Sequence, residues 1–224
     1  MIYPSKKHRV MVVDDHELVR TGIVSLLKNI DNIQVVGQAS SGEEAIEISQ
    51  KKQPDVVLMD VRMPGIGGLQ ATINILRVCP KTKVIALTIY NDELFPTKLL
   101  QAGAHGYLTK NTSKDELKTA IESVCNNKRY ISPEIASKLA LKHLSDQGAP
   151  PFESLSEREL QVTLMITNGQ KVQEISEMLF LSPKTVNSYR YRIFEKLNVK
   201  NDVELTRLAI KHGITEGISP NSFD

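Results

Sequence analysis

Cysteine is nearly absent from this 224-residue sequence, which contains only Cys79 and Cys125. The two residues lie far apart and do not form a pair with metal-binding spacing. No wider cysteine framework exists, which argues against a disulfide-stapled secreted fold. We therefore expect a reduced, cytoplasmic chain in which both cysteines are small buried residues.

Long apolar runs and an excess of one charge are missing as well. No run approaches the roughly 18 residues that a membrane span requires, so no membrane partner is expected. The start, MIYPSKKHRVMVVDD, reaches acidic residues too soon for a signal peptide. A formal net charge of +2 indicates no class of partner. The length and the hydrophobic content of 41% suit one large or two small globular domains.

The first half of the chain alternates short apolar runs with helix-like segments. The apolar runs are RVMVV, QVVG, DVVLM, KVIAL and GYL. The segments with a helical period are Leu18–Asn29, Glu43–Lys51, Leu69–Val78, Leu94–Ala102 and Ser113–Asn127. Five strands alternating with five helices predict an α/β fold with a doubly wound, five-stranded parallel sheet.

The second half of the chain has a different pattern. Strand-like runs stop at about Tyr130, and SPEIASKLALKHL predicts a helix with Pro133 in its first position. SDQGAPPFES has the composition of a linker, and only short helices are indicated after Leu155. We expect a domain at 1–128, a helical linker at 129–152, an all-α four-helix domain at 153–217 and a tail at 218–224.

Polar residues stand at the carboxyl ends of the predicted strands, where open parallel sheets bind ligands. They are Asp14 and Asp15 after the first strand, Asp60 at the third, Thr88 at the fourth and Lys110 after the fifth. Three clustered carboxylates repel one another unless a cation is present, and an oxygen-rich site of this kind suits Mg²⁺. Lys110 and Thr88 could contact phosphoryl oxygens. Asp60, alone on its strand, is the natural nucleophile for an aspartyl phosphate.

Each of these residues also has a purely structural interpretation. Asp14 and Asp15 could begin a loop, Thr88 could close a strand, and Lys110 could be a solvated charge. Tyr107 suits a core position, and His16 is given no role beyond a loop or helix start. The strand ends together are far more specific than any one of them.

The motifs VMVVDDHELVRTGI, PDVVLMDVRMPGIGGL, VIALT and AGAHGYLTK resemble the receiver domain of two-component response regulators, from about Arg9 to Asn127. The resemblance implies that a histidine kinase phosphorylates Asp60. It implies Mg²⁺ binding by Asp15, Asp60 and the backbone carbonyl of Arg62, with Asp14 acting through water. Thr88 and Tyr107 would form the switch pair, and Lys110 would contact the phosphoryl group. Asn111 departs from the pattern, since many receivers have proline after the lysine.

The C-terminal part carries the signature of a helix-turn-helix. Ser156 and Glu159 have capping-box spacing before an apolar run, and Leu181-Ser182-Pro183 predicts a turn followed by a helix start. In the helix Lys184–Leu197, Val186, Ile193 and Leu197 recur at helical spacing and are expected to face the core. The candidate DNA-binding residues are Lys184, Thr185, Asn187, Ser188, Tyr191, Arg192 and Lys196. Such side chains read base edges and phosphates, with Asn pairing bidentately with adenine. A solvated helix in a small all-α interaction module is the alternative.

The segments LSEREL, EISEMLFLSPKTV and IFEKLNV resemble the LuxR-type DNA-binding domain of NarL/FixJ-type regulators, from about Glu153 to Gly213. The resemblance implies that Lys184–Leu197 enters the major groove of double-stranded DNA and that Asp202–His212 contributes a dimer contact. The family often has Lys and His where this chain has Asn187 and Tyr189. Arg190 falls near the buried face and is expected to extend outward to a phosphate.

Nearly the whole chain is similar to the GacA/UvrY/LetA group of these regulators, through VVDDHELVRTGI, LLQAGAHGYLTK and SPKTVNSYRYRIFEKL. This resemblance implies a hybrid sensor histidine kinase or phosphotransfer domain as phosphodonor. It also implies a homodimer on phosphorylation, RNA polymerase as a partner, and promoters of small regulatory RNAs as targets.

Two other functions fit parts of the sequence. A Mg²⁺-dependent phosphohydrolase could use Asp60 as nucleophile, but such sites commonly have a second carboxylate two residues later, and this chain has Arg62 there. A receiver whose second domain binds protein rather than DNA is the other alternative. We expect no enzyme activity beyond slow loss of the phosphoryl group from Asp60.

Overall fold

The structure, a computed structural model, describes residues 7–88, 95–144, 151–212 and 214. The chain divides into two compact units, Met1–Asp146 and Gln147–Asp224. The division falls inside the predicted linker at 129–152, and the exact domain boundaries stay a prediction. The predicted tail at 218–224 lies outside the described residues.

The N-terminal unit is built on one parallel sheet with the strand order β2-β1-β3-β4-β5-β6. Its strands are β1 His8–Val13, β2 Ile33–Ala39, β3 Val56–Asp60, β4 Lys83–Thr88, β5 Gly106–Thr109 and β6 Tyr130–Ile131. The predicted doubly wound sheet is confirmed. All five residues of β3 are buried, as expected for a strand between two neighbours in a sheet covered by helices.

The number of strands was predicted wrongly, because the described sheet has six rather than five. Tyr130 and Ile131 form the sixth strand, although strand-like runs were expected to stop there. The Tyr130 N–H donates to the carbonyl of His105 at 3.1 Å, and the Ser132 N–H donates to that of Tyr107 at 3.0 Å. A two-residue strand is too short to show an alternating pattern, so its pairing could not be inferred from periodicity.

Five helices connect the strands: α1 Glu17–Lys28, α2 Gly42–Lys52, α3 Gly67–Val78, α4 Phe95–Gln101 and α5 Lys114–Cys125. Ser41 and Ser113 cap α2 and α5, each side chain accepting a hydrogen bond from a backbone N–H three residues later. The apolar faces of α1 and α5 pack with one face of the sheet into a single core. A further helix, α6 Pro133–Leu144, begins at the predicted proline.

The C-terminal unit contains a 3₁₀ turn at Pro151–Ser154 and four helices: α7 Glu157–Thr167, α8 Val172–Met178, α9 Pro183–Leu197 and α10 Asp202–Lys211. The predicted capping box of α7 is present between Ser156 and Glu159, and Pro183 occupies the first turn of α9. Val186, Ile193 and Leu197 are buried as predicted. Within the described ranges, we find no helix of the length and apolarity needed to cross a membrane.

Candidate functional site

The carboxyl edge of the sheet gathers the polar residues that follow the strands. β3 lies beside β1 and β4, so Asp60 stands between the residues that follow β1 and those that follow β4 and β5. The ammonium group of Lys110, which follows β5, lies 2.7 Å from Oδ2 of Asp60 and 2.9 Å from Oδ2 of Asp14. One lysine therefore bridges carboxylates that follow two different strands.

The carboxylates form a compact cluster of oxygen atoms. Ligand atoms of Asp14, Asp15, His16 and Asp60 all lie within 4.8 Å of one another. Asp14 is 0% exposed, Asp60 is 2% exposed and Asp15 is half-buried. The three carboxylates, when ionised, carry more negative charge than the one ammonium group of Lys110 balances. Hard oxygen donors in this number fit a magnesium ion better than they fit a softer metal.

Two residues at the start of α1 hold the acidic pair, and sequence reasoning gave neither of them a role. The backbone N–H of His16 donates to Oδ1 of Asp14 at 2.9 Å, and its Nδ1 lies 3.0 Å from Oδ1 of Asp15. Arg20 donates from Nη1 to the backbone carbonyl of Asp14 at 2.7 Å. Both residues lie in the motif DDHELVR, so their closeness in sequence was the available signal.

Burial dominates the acidity of Asp60. Desolvation of its carboxyl raises the pKa from the ordinary value of 3.8 to about 6, although Lys110 lowers it and Asp14 raises it further. Burial likewise opposes the charge of Lys110, but Asp60 and Asp14 outweigh this effect and raise the pKa of the ammonium group. The carboxyl group on β3 is therefore costly to ionise, and Lys110 is its main compensating charge.

The loop after Asp60 is held by contacts that the sequence did not reveal. The Arg62 N–H donates to Oδ1 of Asp60 at 3.2 Å, and the Ile66 N–H donates to the carboxylate of Glu43 at 3.1 Å. A Cβ atom on Gly68 would overlap the carbonyl oxygen of Asp60, so only glycine allows α3 to start this close to β3. The run GIGGL was the signal for this close approach.

The two predicted switch residues occupy different positions. Thr88 ends β4 at the carboxyl edge, is 4% exposed, and its carbonyl accepts a hydrogen bond from the Lys110 N–H at 2.7 Å. Tyr107 is fully buried and pairs in register with Ala86 on β4. The Lys110–Asn111 peptide bond is trans. Thr88 thus lies at the site, whereas Tyr107 occupies the core position that its side chain alone had suggested.

In the C-terminal unit, α9 presents the predicted polar face. Lys184, Ser188, Tyr191 and Arg192 are exposed, and the side chain of Tyr191 is among the most exposed large apolar groups at 69%. Thr185 and Asn187 are half-buried. The cations Lys184 and Arg192 therefore lie on the side of α9 opposite the buried residues, where a helix entering a groove would meet DNA.

Two cations on α9 are engaged within the unit. Arg190, expected to extend to a phosphate, instead donates to Asp202 from Nη2 at 2.6 Å and from Nε at 3.1 Å. Lys196, predicted to bind DNA, donates from Nζ to Glu159 at 2.6 Å and to the Ser154 carbonyl at 3.2 Å. Both acidic partners come from other helices, and for this reason spacing along α9 could not indicate these contacts. Arg190 therefore does not extend outward as expected, whereas DNA contact by Lys196, whose side chain is 40% exposed, stays a prediction.

Comparisons with known proteins identify one family in the N-terminal unit and another in the C-terminal unit. Residues 10–122 match the family of response regulator receiver domains. Residues 153–209 match the family of bacterial regulatory proteins called luxR. The chain belongs to the two-component response regulators that join a receiver domain to a LuxR-type DNA-binding domain.

Comparison with individual proteins shows which members of this class the chain is similar to. The chain is 58% identical to the response regulator GacA of Pseudomonas viridiflava, over 93% of this chain and 98% of that protein. It is 55% identical to the response regulator UvrY of Escherichia coli K12, over 92% of this chain and 94% of that protein. RcsB from Salmonella enterica serovar Typhimurium, solved bound to the promoter rprA, is similar with a TM-score of 0.70 and 25% identity, over 91% of this chain and 98% of that one. The predicted resemblance to the GacA and UvrY group is confirmed.

Replacing Asp60 by Asn is expected to stabilise the N-terminal unit at pH 8 in the absence of divalent cations. Because the pKa of Asp60 is raised in the folded state, folding binds a proton and stability falls as pH rises from about 4 through about 6. The net cost of ionising Asp60, with the Lys110 contact already included, is on the order of 3 kcal/mol, and loss of that contact in the variant offsets part of the gain. We expect a gain of about 1–2 kcal/mol in the free energy of unfolding, measured with urea. The gain should shrink at pH 5, where the native side chain is already largely protonated.

The exposed Asp31 offers the matched control, since Asp31→Asn should change stability by less than about 0.5 kcal/mol. Loss of stability in Asp60→Asn at pH 8 would contradict the burial argument.

Replacing Lys196 by Met is expected to destabilise the C-terminal unit of the full chain by about 1–2 kcal/mol at pH 7, because it leaves the carboxylate of Glu159 without its cation. Burial opposes ionisation of Glu159, which is 4% exposed, but Lys196 and Ser156 outweigh it and lower the pKa of this carboxyl. The ionised carboxylate of Glu159 therefore stabilises the fold at pH values above its pKa in the unfolded chain, and this stabilisation is lost as pH falls. The difference in stability between the native chain and Lys196→Met should vanish in strong acid. Thermal unfolding by circular dichroism measures it.

Lys200→Met removes an exposed cation three residues past the end of α9 and serves as the control. Unchanged stability of Lys196→Met would contradict the stabilising role of the contact between Lys196 and Glu159.

Proposed function

We propose that the chain is switched by transfer of a phosphoryl group from a phosphohistidine to the carboxylate of Asp60, and that the switch controls DNA binding by α9. The observation that supports this most is the bridge from Lys110 to Asp60 and Asp14 at the end of the central strand. It places a cation and an excess of carboxylates around one buried nucleophile.

The chemistry of the transfer follows from these groups. An oxygen of Asp60 attacks phosphorus, the bond from phosphorus to the imidazole nitrogen of the donor breaks, and its electron pair returns to the imidazole. Lys110 then exchanges one carboxylate contact for a phosphoryl oxygen, which it holds as a point charge. Mg²⁺ held by Asp15, Asp60 and the carbonyl of Arg62, and by Asp14 through water, would neutralise charge on the phosphoryl oxygens. Thr88, at the neighbouring strand end, is placed to donate a hydrogen bond to the same group.

The added phosphoryl group carries about two negative charges, which favours inward movement of Thr88 and Lys110. Tyr107 lies on the adjacent strand β5, and we assign it to the same switch because of the family pattern. This conformational change would then reach the face formed by β4, β5 and their helices.

We further infer that a histidine phosphotransfer domain or a hybrid sensor histidine kinase is the donor. The exposed surface of α1 supports this, because α1 begins directly after the acidic pair. Leu18 is 85% exposed there, and a Cβ on Gly22 would meet nothing within 4 Å. An apolar, uncrowded helix face beside the nucleophile suits docking of a partner helix.

We propose that the chain binds double-stranded DNA as a homodimer and controls transcription together with RNA polymerase. The polar face of α9 supports DNA contact through Lys184, Thr185, Asn187, Ser188, Tyr191, Arg192 and Lys196. Val203, 62% exposed, and Ile210, 43% exposed, lie seven residues apart on α10 and could meet a second copy. On the family resemblance described under the sequence analysis, we also propose promoters of small regulatory RNAs as targets and a cytoplasmic location.

No enzyme function is proposed beyond slow loss of the phosphoryl group from Asp60. The residue two positions after the nucleophile is Arg62, whose backbone N–H donates to Asp60. Arginine cannot act as the general acid that a hydrolase of this type uses there.

The proposal is tested with a small-molecule phosphodonor plus Mg²⁺ and, separately, with a phosphorylated histidine phosphotransfer domain. Intact mass spectrometry should show one added phosphoryl group on the native chain from either donor and none on Asp60→Ala. Leu18→Asp should accept from the small molecule at the native rate but at least tenfold more slowly from the protein donor. Asp31→Asn, an exposed acidic control, should behave like the native chain.

Phosphorylation of Asp60→Ala to the native extent would overturn Asp60 as the acceptor. Equal rates of Leu18→Asp and the native chain with the protein donor would overturn only the assignment of α1 as the docking surface.

A further inference from the structure

Arg190 on α9 is held rigidly by a residue of the next helix. Its Nη2 and Nε donate to the two carboxylate oxygens of Asp202 at 2.6 and 3.1 Å, which is a two-pronged contact. Its guanidinium also lies 5.5 Å from the ring centroid of Phe194. A planar guanidinium bound on one edge by a carboxylate and packed against an aromatic ring has little rotational freedom.

The remaining edge of this guanidinium fixes the side chain of Asn187. Nη1 of Arg190 donates to Oδ1 of Asn187 at 2.9 Å. Because a guanidinium has donors and no acceptor, the atom that faces it must be the amide oxygen and not the amide nitrogen. The contact therefore decides which end of the Asn187 amide points toward Arg190 and leaves Nδ2 at the other end.

The position of Asn187 on α9 makes the orientation of its amide important for binding a ligand. It is half-buried on α9, between the buried Val186 and the exposed Ser188, and Arg190 follows one turn later. With its oxygen turned to Arg190, the side chain offers N–H donors to a ligand on the polar face of α9. Bidentate pairing with adenine, the contact expected from sequence, needs this oxygen to accept a second hydrogen bond from the base while Nδ2 donates to it, whereas donation to guanine or thymine uses Nδ2 alone.

We propose that the chain Asp202–Arg190–Asn187 sets the base preference of this regulator by presenting Asn187 as a hydrogen-bond donor in the major groove. The base atoms that fit a donor are the acceptors of guanine, O6 and N7, and O4 of thymine. Arg190 is a positioning residue that acts through Asn187 and needs no DNA contact of its own. This inference rests on the proposed contact of α9 with DNA.

Selection from random double-stranded DNA followed by sequencing tests the proposal, with the full-length chain phosphorylated by a small-molecule phosphodonor. The native chain should prefer guanine or thymine at one position per half-site that depends on Asn187. Asn187→Ala should reduce discrimination there about 5- to 10-fold. Arg190→Met, which keeps apolar contact with Phe194, should reduce discrimination at that same position and leave the other positions unchanged.

Two further variants separate positioning from a merely structural role. Asn187→Asp still accepts from Arg190 but offers no donor, so it should lose the same preference with an unchanged melting temperature. Arg192→Met removes an exposed cation from the same helix and should weaken binding evenly at every position, with a shallower salt dependence.

Three outcomes would overturn the inference. Unchanged preference at every position in Arg190→Met, or an even loss at all positions like that of Arg192→Met, would remove the positioning role while leaving DNA binding by α9 in place. A preference for adenine at the position lost in Asn187→Ala would show that the amide is oriented the other way. Absence of any motif with the native chain would instead overturn the proposed DNA recognition, and this inference with it.

Discussion

The contact between Lys110 and the buried carboxylates of Asp60 and Asp14 is the interaction on which the N-terminal unit depends. A carboxylate at the end of a fully buried strand is costly to ionise, as the raised pKa of about 6 for Asp60 reflects. The ammonium group at 2.7 Å offsets part of that cost. The unphosphorylated state is therefore stabilised by the contact that a phosphoryl group replaces in the proposed mechanism, so phosphorylation and the stability of this unit are linked.

The surrounding fold holds the charged groups of Asp14, Asp60 and Lys110 close together. Parallel order places β1 and β4 on either side of β3, so the residues that follow separate strands meet at one edge. Gly68 lets α3 begin against the carbonyl of Asp60, and Glu43 binds the backbone of the loop between them. Arg20 and His16 hold the acidic pair from α1. Each of these contacts fixes a residue at or beside Asp60, and the proposed role of Asp60 as phosphoryl acceptor requires such positioning.

Sequence predicted those features that repeat or that lie close together along the chain. Apolar alternation predicted the parallel sheet, and the polar residues after each strand predicted the meeting of Asp14, Asp60 and Lys110. Contacts between distant segments that follow no repeating pattern could not be predicted. The two-residue strand Tyr130–Ile131 has no period to detect, and the pairs Arg190–Asp202 and Lys196–Glu159 join residues of different helices. Composition correctly identified α9 as cationic, but only the structure shows which of its cations are already paired.

In the mechanism proposed above, the phosphorylation state of Asp60 controls DNA binding by the C-terminal unit. The most direct measurement is binding of the full chain to pooled genomic DNA fragments with sequencing, with and without a small-molecule phosphodonor and Mg²⁺, for the native protein and Asp60→Ala. Control by Asp60 predicts enrichment of one palindromic motif that strengthens with the phosphodonor in the native protein and does not respond in the variant. Motif-free binding that ignores the phosphodonor would contradict it.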